Sequence, residues 1–132
     1  MHLSQHVRCP ALVAYAYARD PANLPVWAAG LGGSFAEVDG QWRMSTPEGD
    51  VVLEFVAPNE HGVLDHTVVL PDGTSVLNPM RVLPDGDDEC EVVFTLRRQP
   101  AMTDDDFERD AAAVARDLRT LKQVLESVDR DA

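Results

Sequence analysis

His66 is a polar residue in a position where the alternation of the sequence predicts an apolar interior. In the predicted strand 63–70 it shares one face with Leu64 and Val68, because successive side chains of a strand point to opposite sides of the sheet. The other face of the same strand carries polar residues. The apolar face, including His66, is therefore predicted to face inward.

Asn78 is a second polar residue on a predicted inward face. It lies in the predicted strand 74–83, on the same side as Met80, and Phe94 holds the equivalent inward position in the strand that follows. His66 and Asn78 are thus predicted to project from neighbouring strands into one interior.

Histidine and asparagine in an apolar interior suggest two kinds of chemistry. A buried polar group needs a hydrogen-bond partner, which either the protein or a ligand can supply. In the functional interpretation His66 is a general acid or base, or donates a hydrogen bond to a ligand carbonyl, and Asn78 orients it. The alternative is a core histidine satisfied by a backbone carbonyl, a hydroxyl or a water molecule.

The two tryptophans, Trp27 and Trp42, are large amphipathic side chains that could line an entrance to this interior. Ordinary packing of the short helices against the sheet is the preferred interpretation of both. The predicted ligand-binding residues are those on inward faces together with the tryptophans: Trp27, Trp42, Leu64, His66, Asn78, Met80, Phe94 and Leu118.

Motifs for metal, nucleotide or nucleophile chemistry are not found in the sequence. His2 and His6 have a spacing that suits a metal on a helix, but on a strand they would lie about 13 Å apart and could not share an ion. The sequence has no GxSxG, GxGxxG or GxxxxGK[ST] segment. We therefore predict neither a metal nor a cofactor.

Glycine-centred turns and changes of hydrophobic period define the elements that position these residues. A first strand at 1–7 is followed by two short helices, at 11–18 and 23–27, which the glycines at 30, 32 and 33 end. Pro79 interrupts one later strand and predicts a bulge or a sheet edge there. The remaining predicted strands make about seven in all: 33–38, 42–46, 51–57, 63–70, 74–83 and 90–98.

A long helix, 103–128, closes the chain. Thr103 is a suitable N-cap, and three aspartates follow it at the positive end of the helix dipole. A helix of this length must cross the whole sheet. A dimeric coiled coil is the minor alternative, since the run covers fewer than four heptads. Its apolar stripe consists of Phe107, Ala111, Val114, Leu118, Leu121, Leu125 and Val128.

Composition and net charge limit which binding partners and which cellular compartment are expected. The 132 residues suit one domain, 1–132, and the formal net charge of −12 disfavours nucleic acid and anionic membrane surfaces. No segment is apolar enough to insert into a membrane. Cys9 and Cys90 lie in no metal-binding motif, and no signal peptide is visible, so a cytoplasmic protein with two buried thiols is expected, although a disulfide in a secreted domain is possible.

Two segments resemble a known superfamily. The sequence DPANLPVW, residues 20–27, resembles a segment common in the SRPBCC, or START-like, proteins. The sequence PAMTDDDF, residues 100–107, followed by DLRTLK at 117–122 and by Glu126, resembles the C-terminal part of its polyketide cyclase/dehydrase-like members. The resemblance implies an α+β helix-grip fold, in which a curved antiparallel sheet wraps around the long C-terminal helix.

The resemblance implies a deep apolar cavity between sheet and helix, and it leaves three functions open. The first is binding of a hydrophobic or aromatic small molecule, such as a lipid or a polyketide. The second is a cyclase or dehydratase-like enzyme in which His66 moves a proton beside a substrate carbonyl. The third is a protein-interaction module whose cavity is closed by side chains. Either a monomer or a homodimer is compatible with all three.

Overall fold

The computed structural model describes residues 1–28 and 35–130, with side chains described to residue 127. The predicted helix stop at Gly30–Gly33 and the start of the strand 33–38 lie outside the described residues. Within them the elements run in the following order: β1 (His2–Val7), α1 (Ala11–Arg19), a 3-10 turn (Pro21–Asn23), α2 (Leu24–Trp27), β2 (Ala36–Val38), β3 (Gln41–Thr46), β4 (Gly49–Phe55), β5 (His66–Val69), β6 (Ser75–Asn78), β7 (Met80–Asp85), β8 (Glu89–Thr95) and α3 (Asp104–Arg130).

The described strands form two antiparallel sheets. One has the order β1-β8-β7, and the other has the order β2-β3-β4-β5-β6. Because consecutive strands pair throughout the second sheet, its hairpins are the ones that the turn glycines predict. The long helix α3 packs against β1 and α2, so the predicted α+β class, with two short helices after the first strand, is confirmed.

Pro79 divides what the alternation predicts as one strand, 74–83. Proline has no N–H to donate to a ladder, so β6 ends at Asn78 and β7 begins at Met80, in the other sheet. The Pro79 carbonyl still accepts a hydrogen bond from the Thr95 N–H at 2.9 Å. The predicted interruption at Pro79 is therefore a crossover between sheets, and the described strands number one more than the seven expected.

Residues 62–65 join the two sheets, a segment we call the seam. The Leu64 N–H donates to the Met80 carbonyl at 2.8 Å. The Asp65 carboxylate accepts the Met80 N–H at 2.9 Å and is also bound by the Arg81 guanidinium. Since this segment pairs with β7, β5 itself begins only at His66, three residues later than predicted.

The helix α3 begins at a capping box. The Asp106 N–H donates to the Thr103 hydroxyl at 3.1 Å, and the Thr103 N–H donates back to the Asp106 carboxylate at 3.2 Å. Hydrogen bonds from the Thr103 backbone N–H and the Thr103 hydroxyl to the carboxylate hold the pKa of Asp106 below its ordinary value. The predicted N-cap and the predicted helix are both present, and the 27 residues of α3 extend roughly 40 Å.

The apolar stripe of α3 is more deeply buried in its second half. Leu118, Leu121 and Leu125 are fully buried in the core, whereas Phe107 and Val114 are only partly buried. The second half is also tied to the first strand, because the Arg8 N–H donates to the Glu126 carboxylate at 3.0 Å. Among the described residues no helix is both long and apolar enough to cross a membrane.

Neither Cys9 nor Cys90 forms a disulfide, and both are fully buried. Burial, together with the smaller effect of the neighbouring Cys9, raises the pKa of the Cys90 thiol to about 12. A thiol with such a pKa stays protonated at neutral pH and behaves as a small apolar side chain.

Candidate functional site

A chamber of about 90 Å³ lies between the sheets, α2 and α3. Its wall is apolar apart from His66, Asn78 and Asp117, so the fold places both predicted polar residues beside one internal space. The residues that line it are Leu24, Trp27, Ala28, Leu53, Phe55, His66, Val68, Asn78, Met80, Phe94, Val114, Asp117 and Leu118.

The position of His66 follows from strand register. It stands opposite Phe55 on β4 and opposite Asn78 on β6, so the three side chains form a row across three strands. The ring centroid of His66 lies 5.2 Å from that of Phe55 and 5.9 Å from that of Phe94, both rings being tilted. The imidazole is therefore flanked by two aromatic rings.

The hydrogen bond of His66 fixes the tautomer of its neutral ring. Nδ1 lies 3.0 Å from the Leu64 carbonyl oxygen, and a carbonyl oxygen can only accept, so Nδ1 carries the proton. In the neutral ring Nε2 is then an acceptor with a free lone pair. Within the described part of the chain no hydrogen bond to Nε2 is found, and none joins His66 to Asn78.

Burial keeps the His66 ring neutral. Desolvation lowers its pKa below the ordinary value of 6.5, and the bond to Leu64 and the charge of Asp65 oppose this only in part. Part of the ring surface is accessible because it forms the chamber wall. At neutral pH the chamber therefore contains an uncharged imidazole that presents an acceptor.

An open groove of about 360 Å³ adjoins the chamber on the side of the first half of α3. Its outer rim carries polar side chains that include Arg97, Gln99 and Asp110. The chamber and the groove share five wall residues: Val68, Asn78, Phe94, Val114 and Asp117.

No family model and no curated protein matches this sequence. Solved structures do match over nearly the full length. A START superfamily protein from Mycobacterium smegmatis superimposes with a TM-score of 0.67 at 14% identity, covering 97% of each chain. The allergen Ara h 8.0201 superimposes with a TM-score of 0.59 at 12% identity, covering 96% of this chain and 97% of the other.

A third similar structure is a point mutant of norcoclaurine synthase from Thalictrum flavum, in complex with a transition state analogue. It superimposes with a TM-score of 0.61 at 16% identity, and the match covers 100% of this chain and 95% of the other. The chain has the helix-grip fold of the START-like proteins. At these identities the similarity establishes the fold, and the chemistry must be argued from the residues of this chain.

Six of the eight residues predicted from sequence line the chamber of this helix-grip protein: Trp27, His66, Asn78, Met80, Phe94 and Leu118. Trp27 is 7% exposed, and its indole N–H has no hydrogen-bond partner among the described residues. An unpaired buried donor costs about 1–3 kcal/mol.

The other two predicted residues, Leu64 and Trp42, lie elsewhere. Leu64 is buried in the core, where its carbonyl oxygen orients His66. Trp42 lines a separate, more polar depression of about 310 Å³ that also involves Arg19 and Glu54. Trp42 stands opposite Leu53 in the β3–β4 pair, and Leu53 and Phe55 line both spaces.

Asp117, Val114 and Phe55 line the chamber but were not predicted as site residues. Phe55 could have been found by extending the alternation argument to strand 51–57. Val114 belongs to the predicted apolar stripe of the helix, so the sequence predicts that it is buried but does not predict that it lines the chamber. Asp117 is half-buried and sits beside the stripe, where the pattern alone predicts a solvated charge.

No group of three or more potential metal ligands lies together in the described ranges. The N-terminal histidines contact other partners. His2 Nδ1 lies 2.9 Å from the Thr95 hydroxyl, and His6 Nε2 lies 3.2 Å from the Glu89 carboxylate on the exposed face of the small sheet.

Proposed function

We propose that this protein binds a hydrophobic or aromatic small molecule, with one end in the chamber and the remainder in the adjoining groove. The observation that carries the proposal is that the two spaces lie next to each other along one side of α3. Five residues belong to both walls, and most of the surface on either side of that boundary is apolar. Such a combination of apolar wall and few polar groups is typical of ligand sites.

The dimensions favour an elongated ligand. Pockets that enclose small molecules generally measure about 300–1,000 Å³, so a chamber of about 90 Å³ holds one end of a ligand and not the whole. The groove, at about 360 Å³, has room for the rest. A lipid chain or a linked-ring compound has this shape.

The fold supports the same proposal. START-like proteins use the space between sheet and long helix for hydrophobic ligands, and the norcoclaurine synthase structure contains a transition state analogue. In this chain the wall of the equivalent space is mostly apolar and includes the polar side chains of His66 and Asn78.

An enzyme related to polyketide cyclases or dehydratases is the second candidate, and the tautomer of His66 favours it. The neutral Nε2 could accept a proton from the carbon next to a substrate carbonyl, and return it to the product in a later step. A protein-interaction module with a closed cavity is the third candidate. The open groove beside the chamber makes it the least favoured.

We also propose a cytoplasmic location and no nucleic-acid or membrane partner. The two cysteines form no disulfide, as is usual in proteins of reducing compartments, and the net charge of −12 disfavours polyanions. A single domain, as a monomer or a homodimer, is the expected form.

Native mass spectrometry of freshly purified protein tests the binding proposal. We expect an added mass, removed by organic extraction, that corresponds to an apolar compound. A panel of fatty acids, sterols and aromatic polyketides should raise the melting temperature for at least one class. Repeated preparations without added mass, together with no thermal shift for any member of the panel, would overturn the proposal.

A further inference from the structure

We propose that the ligand of this site carries a hydroxyl group on the end that enters the chamber, and that this hydroxyl donates a hydrogen bond to Nε2 of His66. The inference rests on the proposed small-molecule binding, which it makes chemically specific. The inferred ligand is therefore a phenol, or an alcohol whose hydroxyl group is attached to a ring or a chain.

The direction of the hydrogen bond follows from the Leu64 carbonyl. Because that oxygen can only accept, it holds the imidazole proton on Nδ1, at 3.0 Å. The nitrogen left for the ligand is then an acceptor, and only a donor group can satisfy it. A ketone, an ester or an ether presents oxygen lone pairs alone and would leave Nε2 unpaired.

The side chain opposite His66 is compatible with the same chemistry. Asn78 carries both an amide donor and a carbonyl acceptor. A hydroxyl that donates to Nε2 of His66 can therefore also accept a hydrogen bond from the Asn78 amide.

The surroundings of His66 favour an uncharged donor. Phe55 and Phe94 flank the ring at 5.2 and 5.9 Å between centroids, and Val68 and Met80 complete this part of the wall. An ammonium group would lose its hydration here, at a cost that a neutral hydroxyl avoids. A ring that carries the hydroxyl also matches the flat aromatic side chains on either side.

A matched ligand pair tests the inference. 4-Octylphenol and 4-octylanisole have the same ring and chain, and only the phenol has a proton to donate. By titration calorimetry we expect the phenol to bind about tenfold more tightly to the unaltered protein. The His66→Phe variant, which keeps a ring but removes the acceptor, should bind the two equally, and His61→Phe, at an exposed histidine, should keep the preference.

Each outcome separates the two proposals. Equal binding of both compounds to the unaltered protein would overturn the hydroxyl inference and leave small-molecule binding intact. Failure of both to bind would overturn the hydroxyl inference together with the proposed site for such ligands. A preference for the phenol that persists in His66→Phe would show that another group accepts the proton. Tighter binding of 4-octylbenzylamine than of the phenol would overturn the hydroxyl inference and indicate that the ligand carries a cationic donor. The comparison of the phenol with the anisole on the unaltered protein tests the inference even if the His66→Phe variant does not fold.

Discussion

The imidazole of His66 donates its Nδ1–H to the backbone carbonyl of Leu64 at 3.0 Å, two residues earlier in the chain. Leu64 is itself held by its N–H, which donates to the Met80 carbonyl across the seam. The orientation of the chamber histidine is therefore set by the backbone pairing that joins the two sheets. Substitutions in the seam should therefore alter the orientation of His66 even when the substituted residue does not line the chamber.

Stability should depend on pH through His66. Burial lowers its folded-state pKa below 6.5, so at lower pH the unfolded chain binds more protons at this residue than the folded chain does. The contribution to stability is present above about pH 6.5 and is lost as pH falls toward the folded-state pKa, with a slope of at most about 1.4 kcal/mol per pH unit.

Urea unfolding between about pH 5 and pH 7.5 measures this dependence. In that range carboxylates with ordinary pKa values stay largely ionised, so most of the change in protonation comes from histidines. We expect the free energy of unfolding of His66→Phe to vary less with pH than that of the unaltered protein. The His61→Phe control should keep the original slope. Identical slopes for all three proteins would contradict the assignment.

Asp65→Ala should destabilise the fold by about 1–3 kcal/mol. The substitution leaves the Met80 N–H without its acceptor at the seam and removes the partner of the Arg81 guanidinium. Asp87→Ala, at an exposed position in the turn before β8, should change stability by less than about 0.5 kcal/mol. Chemical denaturation measures both, and equal effects would show that the seam bond contributes no more than a surface charge.

Gly62→Ala should be much more damaging than Gly40→Ala. Both glycines have positive φ, at +71° and +81°, so both variants carry a backbone cost of about 1–2 kcal/mol. At Gly62 a Cβ would also lie 2.2 Å from the Val82 carbonyl oxygen, whereas at Gly40 it would meet nothing within 4 Å.

We therefore expect Gly62→Ala to lose at least about 2 kcal/mol more than Gly40→Ala. Because the Gly62 carbonyl accepts the Val82 N–H at 2.8 Å, the clash acts directly on the pairing between the seam and β7. Thermal melts of the two variants, compared with the unaltered protein, measure the difference. Similar melting temperatures would mean that the seam can open without cost.

Val114→Phe should block ligand entry. Val114 forms part of both the chamber and the groove, so a larger side chain narrows the space between them. With 4-octylphenol as the probe we expect at least tenfold weaker binding, measured by calorimetry. Val38→Phe makes the same change at an exposed position of β2, and its affinity should match that of the unaltered protein. Unchanged binding by Val114→Phe would place the ligand elsewhere.

The features predicted correctly are those set by short-range rules. The Thr103 cap, the turn glycines and the alternation that brings His66 and Asn78 to one interior all depend on neighbouring residues in the sequence. Each can be evaluated within a window of a few residues. The predicted role of those side chains in ligand binding stays a prediction.

The features that could not be predicted depend on contacts between distant segments. After the interruption at Pro79, the Met80 N–H is bound by the Asp65 carboxylate, 15 residues earlier in the chain. The Leu64 carbonyl that sets the tautomer of His66 belongs to a residue whose own N–H is held by the Met80 carbonyl. Asp117 looks like a surface charge until the groove beside it is known. The volume of the chamber depends on how all these side chains pack.

The apolar stripe of α3 is buried most deeply toward its C-terminal end. Leu118, Leu121 and Leu125 are buried and Glu126 is bonded to Arg8, whereas Val114, which lines both the chamber and the groove, lies on the less buried half. Residue 126 is about 18 Å along the helix axis from residue 114. A change of side chain at Val114 therefore alters the space for a ligand at a distance from the bond that joins the helix to Arg8.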